Sequence, residues 1–243
     1  MRTRLQTVIG MALVALCPSL VSAEPVTLIS FDRHVFASAL VYGPTGFVID
    51  YHEDRQLNGA HSASAKSEFG GTTALANSEL SGVTLSDNFQ RLTASGLSTA
   101  SVSGSGGGSQ STADVGFEFW VTTPLAFEFI GDFSKDALLS GWQAHLSRLL
   151  DNGDSAGIRF EATSNFGAPD QHLRFHGSLD PGRYALFVRG NAAGDTVFSN
   201  NPASRSQYNF TFTMAPVPEP TSILLVGTGV LSLVARARRR RTA

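Results

Sequence analysis

VGFEFWV at residues 115–121 and LAFEFIG at residues 125–131 are the two segments that decide the fold of this chain. In each segment every second residue is apolar and mostly large, which is the spacing of side chains on one face of a β-strand. Full burial of one such side chain stabilises a protein by roughly 1.5–3 kcal/mol. The sequence therefore predicts two strands that form the heart of one hydrophobic core. Their predicted inward residues are Val115, Phe117, Phe119, Val121, Leu125, Phe127 and Phe129.

Shorter alternating segments flank this pair on both sides. They predict strands near residues 25–31, 47–51, 157–161, 173–177, 184–188 and 208–212. The chain has 24 glycines and only 16% charged residues, a composition that favours turns and half-buried strands over surface helices. We therefore expect an all-β protein with a single, jelly-roll-like β-sandwich domain.

Residues 134–150 fit two kinds of secondary structure. Their large apolar residues recur at helical spacing, but Trp142, Ala144 and Leu146 also alternate as on a strand. Gly141 weakens a helix, and strands are predicted on both sides. The strand is the favoured interpretation.

Two stretches of small residues carry weaker signals. Residues 60–76 are rich in Ser, Ala and Gly and predict a loop or irregular edge strands. The glycine-rich stretch 104–109 lacks the Lys-Ser/Thr pair that a phosphate-binding loop requires, and no helical pattern follows it. We interpret it as a flexible hairpin tip.

Three polar clusters were considered as metal or catalytic sites. Residues 52–54 (His-Glu-Asp) are consecutive, so on a strand their side chains cannot all face one point. Residues 151–154 (Asp-Asn-Gly-Asp) offer clustered oxygens of the kind calcium binds, but Asn-Gly is also a preferred hairpin turn, which is the favoured interpretation. His172 and His176 have the spacing of a helical zinc pair, whereas on a strand they would lie about 13 Å apart.

Tyr184 follows a Pro-Gly turn at the start of an alternating segment, and we assign it a packing role. The sequence contains neither a Gly-x-Ser-x-Gly nucleophile elbow nor spaced metal ligands. It predicts no catalytic residue, no metal site and no cofactor. The expectation is that the chain is not an enzyme.

Charge is distributed unevenly along the chain. Seven of the 18 basic residues lie at the two ends, at Arg2, Arg4, Arg236 and residues 238–241. The region between them holds eleven basic residues against all 20 acidic ones. Nucleic-acid binding requires a basic face, so the acidic body argues against a nucleic-acid partner.

The first residues have the organisation of a secretory signal peptide. Two arginines precede an apolar run at residues 8–16, and Val21-Ser22-Ala23 supplies the small residues that a signal peptidase recognises. We predict export through the Sec machinery and cleavage after Ala23. Cys17, the only cysteine, follows Leu16, which does not fit a lipoprotein signal. The cleaved protein would then have no disulfide and no thiol chemistry.

The C-terminal tail combines three features in a fixed order. A proline-rich motif is followed by an apolar run at about 221–235, and arginines close the chain. The motif comprises Val217, Pro218, Glu219 and Pro220, and the arginines are Arg236, Arg238, Arg239, Arg240 and Arg241. The twelve residues from Ile223 to Val234 would form a helix of about 18 Å, against roughly 30 Å of bilayer hydrocarbon. We predict a marginal, temporary transmembrane anchor whose arginines act as a stop-transfer signal and stay cytoplasmic.

This tail resembles the PEP-CTERM sorting signal of Gram-negative bacteria that produce exopolysaccharide. The resemblance implies recognition and cleavage near the Pro-Glu-Pro motif by exosortase, a membrane-embedded enzyme of the cysteine transpeptidase type. It covers the tail alone. We divide the chain into a signal peptide (1–23), a β-sandwich ectodomain (24–214) and a sorting tail (215–243).

Two hypotheses describe the ectodomain. In the first, it is a non-enzymatic envelope or matrix protein with exopolysaccharide as a candidate partner, anchored in the inner membrane as a precursor and then surface-bound or secreted. In the second, it is a carbohydrate-binding or glycan-active sandwich in which Trp120, Trp142 or Tyr51 stacks on sugar rings. An exposed line of aromatic residues on one sheet face would favour the second hypothesis, and burial of both tryptophans the first.

Overall fold

The computed structural model describes residues 24–55, 61–164, 170–197 and 202–217. Within these ranges the chain forms twelve β-strands. They are β1 (Val26–Gly43), β2 (Gly46–Asp54), β3 (His61–Phe69), β4 (Thr72–Leu85), β5 (Arg91–Ser103), β6 (Gly107–Val121), β7 (Leu125–Lys135), β8 (Gly141–Leu149), β9 (Ser155–Thr163), β10 (Asp170–Leu179), β11 (Gly182–Asp195) and β12 (Ala203–Pro216). The predicted all-β class is confirmed.

The strands form two six-stranded antiparallel sheets packed face to face. Sheet A has the order β2-β1-β6-β11-β8-β9, and sheet B has the order β10-β7-β12-β5-β4-β3. Strands β5 to β12 pair as a nested series, with β8 on β9, β7 on β10, β6 on β11 and β5 on β12. This is one long hairpin rolled so that its successive strand pairs lie alternately in the two sheets, which is a jelly roll. The predicted sandwich is confirmed.

Four further strands widen the jelly roll on one side. Strands β1 and β2 extend sheet A beyond β6, and β4 and β3 extend sheet B beyond β5. Within the Ser/Ala-rich stretch, residues 61–69 and 72–76 therefore lie in regular strands and not in the expected loop or irregular structure. Ala63, Ala65, Ala74 and Ala76 alternate inward and are buried, so the binary pattern outweighs the low strand propensity of alanine.

The aromatic core lies between the two predicted central strands. All seven predicted inward residues are buried, from Val115 on β6 to Phe129 on β7. The rings of Phe117 and Phe119 stack at 4.8 Å between centroids, and Phe129 packs against Phe160 at 4.9 Å. Strands β6 and β7 lie in different sheets, so each supplies one wall of this core.

The other half of the interior is filled by small residues and buried hydroxyls. Seven buried serines donate hydrogen bonds of 2.7–3.2 Å to backbone carbonyls of the facing sheet. They are Ser67, Ser78, Ser98, Ser109, Ser111, Ser204 and Ser206. A serine side chain is short, so these bonds require the sheets to approach more closely than the usual spacing of about 10 Å. The hydroxyls thereby satisfy their own hydrogen-bonding needs inside the core.

Two further expectations concern local segments. Residues 141–149 form strand β8, which confirms the favoured interpretation of the ambiguous segment.

The expected hairpin tip at residues 104–109 is wrong, because β5 and β6 lie in opposite sheets and the turn between them crosses the sandwich. Gly104 has φ +90, and an added Cβ would meet the Thr72 backbone at 2.9 Å, so this crossing needs glycine.

The described chain begins and ends at the same end of the sandwich. Val26 pairs with Val121, and Pro216 pairs with Leu125, on either side of the turn at residues 122–124. Strand β12 thus continues two residues beyond the expected domain boundary at 214. The β1–β2 turn lies at the far end of β1, roughly 50 Å away at about 3.3 Å per residue.

Ser98→Ala should test the contribution of the inter-sheet hydroxyls. Ser98 is fully buried, and its Oγ donates to the Gly190 carbonyl at 2.9 Å. We expect the free energy of unfolding to fall by about 0.5–1.5 kcal/mol, because one buried hydrogen bond is lost. Urea denaturation measures this, with Ser95→Ala on the outer face of the same strand as the control. Equal stabilities for the two variants would contradict the prediction.

His145→Gln should change how stability depends on pH. His145 packs against Phe187 at 5.4 Å, and burial lowers the pKa of its imidazole, an effect that Glu161 partly opposes. The folded-state pKa is thus below the unfolded value of about 6.5, so the native protein should lose stability as pH falls through that value towards the folded pKa.

Thermal unfolding across this pH range, with His176→Gln as the exposed control, checks the effect of His145. The wild type and the His176→Gln control should lose stability to the same extent below about pH 6.5. The loss of stability in His145→Gln should be smaller. Identical pH profiles for all three proteins would refute a role for the buried imidazole.

Candidate functional site

The predicted sorting residues lie almost entirely beyond the described residues. Val217 is the last residue that the structure describes. It is 41% exposed, and it donates its N–H to the Pro124 carbonyl at 3.3 Å. Pro218, Glu219, Pro220, the five tail arginines and Ala23 fall outside the described residues. In the described ranges no helix is long and apolar enough to cross a membrane. The predicted span at 221–235 also lies outside those ranges.

The Asp151–Asp154 segment forms the turn of the β8–β9 hairpin, as favoured from the sequence. Asn152 Nδ2 donates to Asp154 Oδ2 at 2.7 Å, and the Asp154 N–H donates to Asn152 Oδ1 at 3.1 Å. Gly153 has φ +88, which glycine adopts without strain. The polar side chains are thus engaged within the turn itself.

The histidine clusters do not converge on a common point. His172 and His176 lie on β10, as the strand interpretation predicts, and His172 Nδ1 is 2.7 Å from Asp132 Oδ1. In residues 52–54 each side chain has a different partner. His52 pairs with Asp50, Glu53 with His34, and Asp54 with His61. Among the described residues there is no group of three potential metal ligands placed to share an ion.

Tyr184 has the packing role assigned to it. Its side chain is fully buried, its ring stacks on Phe119 at 5.9 Å, and its hydroxyl donates to the Asp180 carbonyl at 3.0 Å. This bond ties the start of β11 to the connection that precedes it, so the tyrosine fixes a crossing between the two sheets.

The three aromatic residues proposed for sugar stacking have different environments. Trp142 is buried against Phe133 at 4.6 Å between ring centroids, so it is part of the core. Trp120 is 40% exposed and Tyr51 is 64% exposed, both on the outer face of sheet A. Trp120 borders a 450 Å³ cleft with Arg148 and Arg183 at the end where the chain leaves the domain.

An exposed apolar surface lies at the opposite end of the same face. We call it the aromatic corner, and it comprises Tyr42 on β1 with Phe47, Ile49 and Tyr51 on β2. Their exposed fractions are 46%, 64%, 56% and 64%. Tyr42 is directly opposite Phe47, and alternation places the β2 residues on the same side. Large exposed apolar patches on soluble domains are typical of binding surfaces.

A row of charged residues borders the aromatic corner and crosses four strands. From β2 to β11 it contains Glu53, His34, Asp114 and Arg189. His34 lies 3.2 Å from Glu53 and 3.4 Å from Asp114, and Arg189 binds both Asp114 oxygens at 2.8 and 2.9 Å. The hydrogen bonds to Asp114 raise the pKa of the Arg189 guanidinium.

The polar row and the aromatic corner together have the composition of a binding surface for a polyhydroxylated ligand. Glu53 is two residues from Tyr51 on the same strand face, so ring surfaces and charged hydrogen-bonding groups are adjacent. Aromatic rings offer flat apolar faces, whereas carboxylates and guanidinium groups fix the orientation of polar groups. Asp114 has only 8% of its side chain exposed and is held by Arg189 and His34, which fits a positioning role better than proton transfer.

Of this surface, the sequence pointed to Tyr51 as a candidate for sugar stacking and to Glu53 only as part of the 52–54 cluster. Phe47 and Ile49 lie in a predicted strand whose buried face the sequence does not assign, and no role was predicted for Tyr42. The alternation of Phe47, Ile49 and Tyr51 was visible, but a period of two does not tell which face is buried. The sequence could not predict the polar row, because its residues come from four strands spread over residues 34–189.

The comparisons with known proteins give a sorting motif for the tail and a distant structural likeness for the domain. The PEP-CTERM protein-sorting motif matches residues 216–241. No curated protein matches the chain in sequence.

Several solved structures share a distant likeness with the domain. The enzymatically active domain of tailspike protein 4 of bacteriophage CBA120 has a TM-score of 0.32 at 9% identity, covering 64% of this chain and 19% of that chain. A carbohydrate-binding module of the β-sandwich superfamily has a TM-score of 0.29 at 9% identity, covering 78% and 98%. The infectious bursal disease virus Gx strain structure has a TM-score of 0.27 at 8% identity, covering 80% and 57%.

The motif at residues 216–241 accounts for the order of parts in the tail. It is a signal that directs exported proteins to the cell surface or the medium and is processed by exosortase, so an exosortase-like enzyme is a partner of this chain. The predicted resemblance is thereby confirmed. The chain therefore carries, in its tail, the PEP-CTERM protein-sorting motif of exported proteins.

Proposed function

We propose that the exported domain is a non-enzymatic envelope or matrix protein that associates with exopolysaccharide through the outer face of sheet A. The observation that carries the proposal is the aromatic corner beside the polar row. Four large apolar residues there are 46–64% exposed on one corner of an otherwise well-packed sandwich. Such an exposed line of aromatic residues on one sheet face favours carbohydrate binding, and the two tryptophans are not both buried, because Trp120 is 40% exposed. We therefore combine a carbohydrate-binding surface with the envelope or matrix role.

The chemistry of this surface matches a sugar polymer. The apolar C–H faces of pyranose rings can stack on Phe47 and Tyr51, while their hydroxyls can bond to Glu53 and Arg189 at the exposed edge of the polar row. Because Arg189 is 44% exposed in its side chain, its remaining N–H groups can reach a ligand. An open face of this kind suits a long chain better than a small molecule, for which a concave pocket is typical.

The non-enzymatic role is supported by the state of the carboxylates. Asp114 and Glu53 flank His34 and pair with it, and Glu118 pairs with Arg183. A glycosidase requires one carboxyl group that is protonated and another that is free to attack or to activate water. Carboxylates that are already paired with basic side chains are less available to attack a substrate or to activate water.

The route to the surface combines both ends of the chain. We expect the Sec machinery to export the domain and signal peptidase to cleave after Ala23. Residues 221–235 would then hold the precursor in the inner membrane, with Arg236 and residues 238–241 in the cytoplasm. Val217 leaves the sandwich at the end opposite the β1–β2 turn. The aromatic corner would therefore point away from the membrane during anchoring.

Deletion of residues 218–243 should abolish surface sorting without unfolding the domain. Both sheets are complete within residues 26–216, so the truncated protein retains all of its strand pairs. We expect it to accumulate unsorted in cells that contain exosortase, as measured by fractionation and immunoblotting. A strain without exosortase, expressing the full chain, is the control. The same distribution for both proteins in the exosortase-containing strain would contradict the prediction.

Tyr51→Ala should weaken polysaccharide binding by the fragment 24–217. Truncating a central aromatic contact typically costs more than about 1 kcal/mol, which is at least about fivefold in Kd. A glycan array identifies the ligand, and titration calorimetry measures the change. Leu138→Ala is the matched control, because Leu138 is 66% exposed on the connection between β7 and β8. Wild-type fragment that binds no polysaccharide, or equal affinities for both variants, would refute the proposal.

A further inference from the structure

The four edge strands of the sandwich differ in how they are protected against pairing. Among the described residues β2 and β9 form the edges of sheet A, and β3 and β10 form those of sheet B. Natural proteins protect such edges with charged residues and bulges, because the unpaired N–H and C=O groups of an edge can pair with another chain.

Three of the edges carry these features. Lys66 and Glu68 form an ion pair on β3, and β10 exposes His172 and Arg174. On β9, Arg159 and Glu161 are charged, and the pairing with β8 has two register shifts.

Strand β2 has all of its ionisable residues, Asp50, His52, Glu53 and Asp54, in its second half, whereas its first half is apolar. Residues 47–49 are Phe-Val-Ile, and their exposed fractions are 64%, 44% and 56%. The pairing of β2 with β1 runs from Gly46 to Asp54 without a register shift, so no bulge turns the edge away. The first half of this edge is regular, apolar and unpaired within the described residues, which are the properties of a strand that accepts a partner.

We infer that β2 pairs antiparallel with β2 of a second copy, so that two copies of sheet A become one continuous sheet. A two-fold axis at Ile49 places Ile49 opposite Ile49 of the second copy. Phe47 then lies opposite Tyr51 of the second copy, and the symmetry repeats this aromatic pair. Directly opposed aromatic side chains are among the favourable cross-strand pairs.

Charge and length select this register among the alternatives. With the axis at Ile49, Asp50 is opposite Val48 and His52 is opposite Gly46, so no like charges face each other. An axis at Asp50 would place two Asp50 carboxylates in direct opposition, which is unfavourable. An axis at Val48 would shorten the paired segment, because β2 begins at Gly46. The sequence of β2 is therefore most self-complementary about Ile49.

The pairing would join the aromatic corners of the two copies on one side of the continuous sheet. Tyr42, Phe47, Ile49 and Tyr51 of each copy would flank the two-fold axis, and the polar rows would lie beyond them. The inference stands on the edge of β2 and does not depend on polysaccharide binding. If both hold, a polymer could contact two copies at once, which raises its apparent affinity.

A disulfide at the two-fold axis tests this register directly. Cys17 is the only cysteine of the chain, so fragment 24–217 contains none. In Ile49→Cys the two thiols would lie opposite each other at a Cβ separation of about 4.5–5.5 Å, close to what a disulfide requires. Ile158→Cys on the edge strand β9 is the matched control, since Ile158 is 60% exposed.

Mild oxidation of dilute protein, followed by non-reducing electrophoresis, gives the fraction of covalent dimer. We expect Ile49→Cys to dimerise at least about tenfold faster than Ile158→Cys, because pre-association raises the effective thiol concentration. Equal rates would overturn the inference. Circular dichroism of both reduced variants confirms that they retain the strand content of the wild type.

Sedimentation of the unmodified fragment provides a second readout. The wild type should show a concentration-dependent monomer–dimer equilibrium without added glycan, and Ile49→Lys should remain monomeric, because a lysine on an edge strand opposes pairing. A wild type that stays monomeric at the highest soluble concentration would overturn the inference. A dimer that persists in Ile49→Lys would also overturn the inference. A dimer that forms only when polysaccharide is added would overturn it as well.

Discussion

The pairing of β8 with β9 across the turn at residues 151–154 is the constraint on which the jelly roll depends. Outward from this hairpin, β7 pairs with β10, β6 with β11, and β5 with β12, as in a folded ribbon. Each pair lies in the sheet opposite the previous one, so the ribbon closes around its own apolar face.

The interior of this rolled ribbon is built in two different ways. Between β6, β7 and β12 it is filled by aromatic rings in mutual contact, such as Phe119, Phe129 and Phe212. Between β1, β3, β4 and β5 it is filled by alanine, and serine hydroxyls bond across to the facing sheet. A small-residue core gains less from the hydrophobic effect, and the inter-sheet hydrogen bonds partly offset that difference.

The point where the sorting tail leaves the domain and the proposed ligand-binding surface lie at opposite ends of the sandwich. The chain leaves the sandwich beside the turn at residues 122–124, whereas the aromatic corner is at the far end of β1. A tail processed by an exosortase-like enzyme therefore need not interfere with a ligand bound at the corner. The same arrangement places the edge strand β2 in the half of the sandwich opposite the point where the chain leaves it.

The sequence by itself determined the class of the fold, the central strands and the sorting signal of the protein. Period-two alternation is a local property, so the inward residues Phe117, Phe119, Phe127 and Phe129 could be assigned without knowing their neighbours. The sorting motif is also local, since it consists of contiguous residues read by another protein.

Only the tertiary structure decided which strands are neighbours and which faces remain exposed. A turn such as residues 104–106 has the same sequence signals whether it closes a hairpin or crosses between sheets, and the crossing here separates β5 from β6. Glu53, His34, Asp114 and Arg189 form one row because four strands align in register, a relation between distant segments that no local pattern encodes. Phe47, Ile49 and Tyr51 alternate like core residues, but they are exposed because they lie on the outer face of sheet A, which no described strand covers.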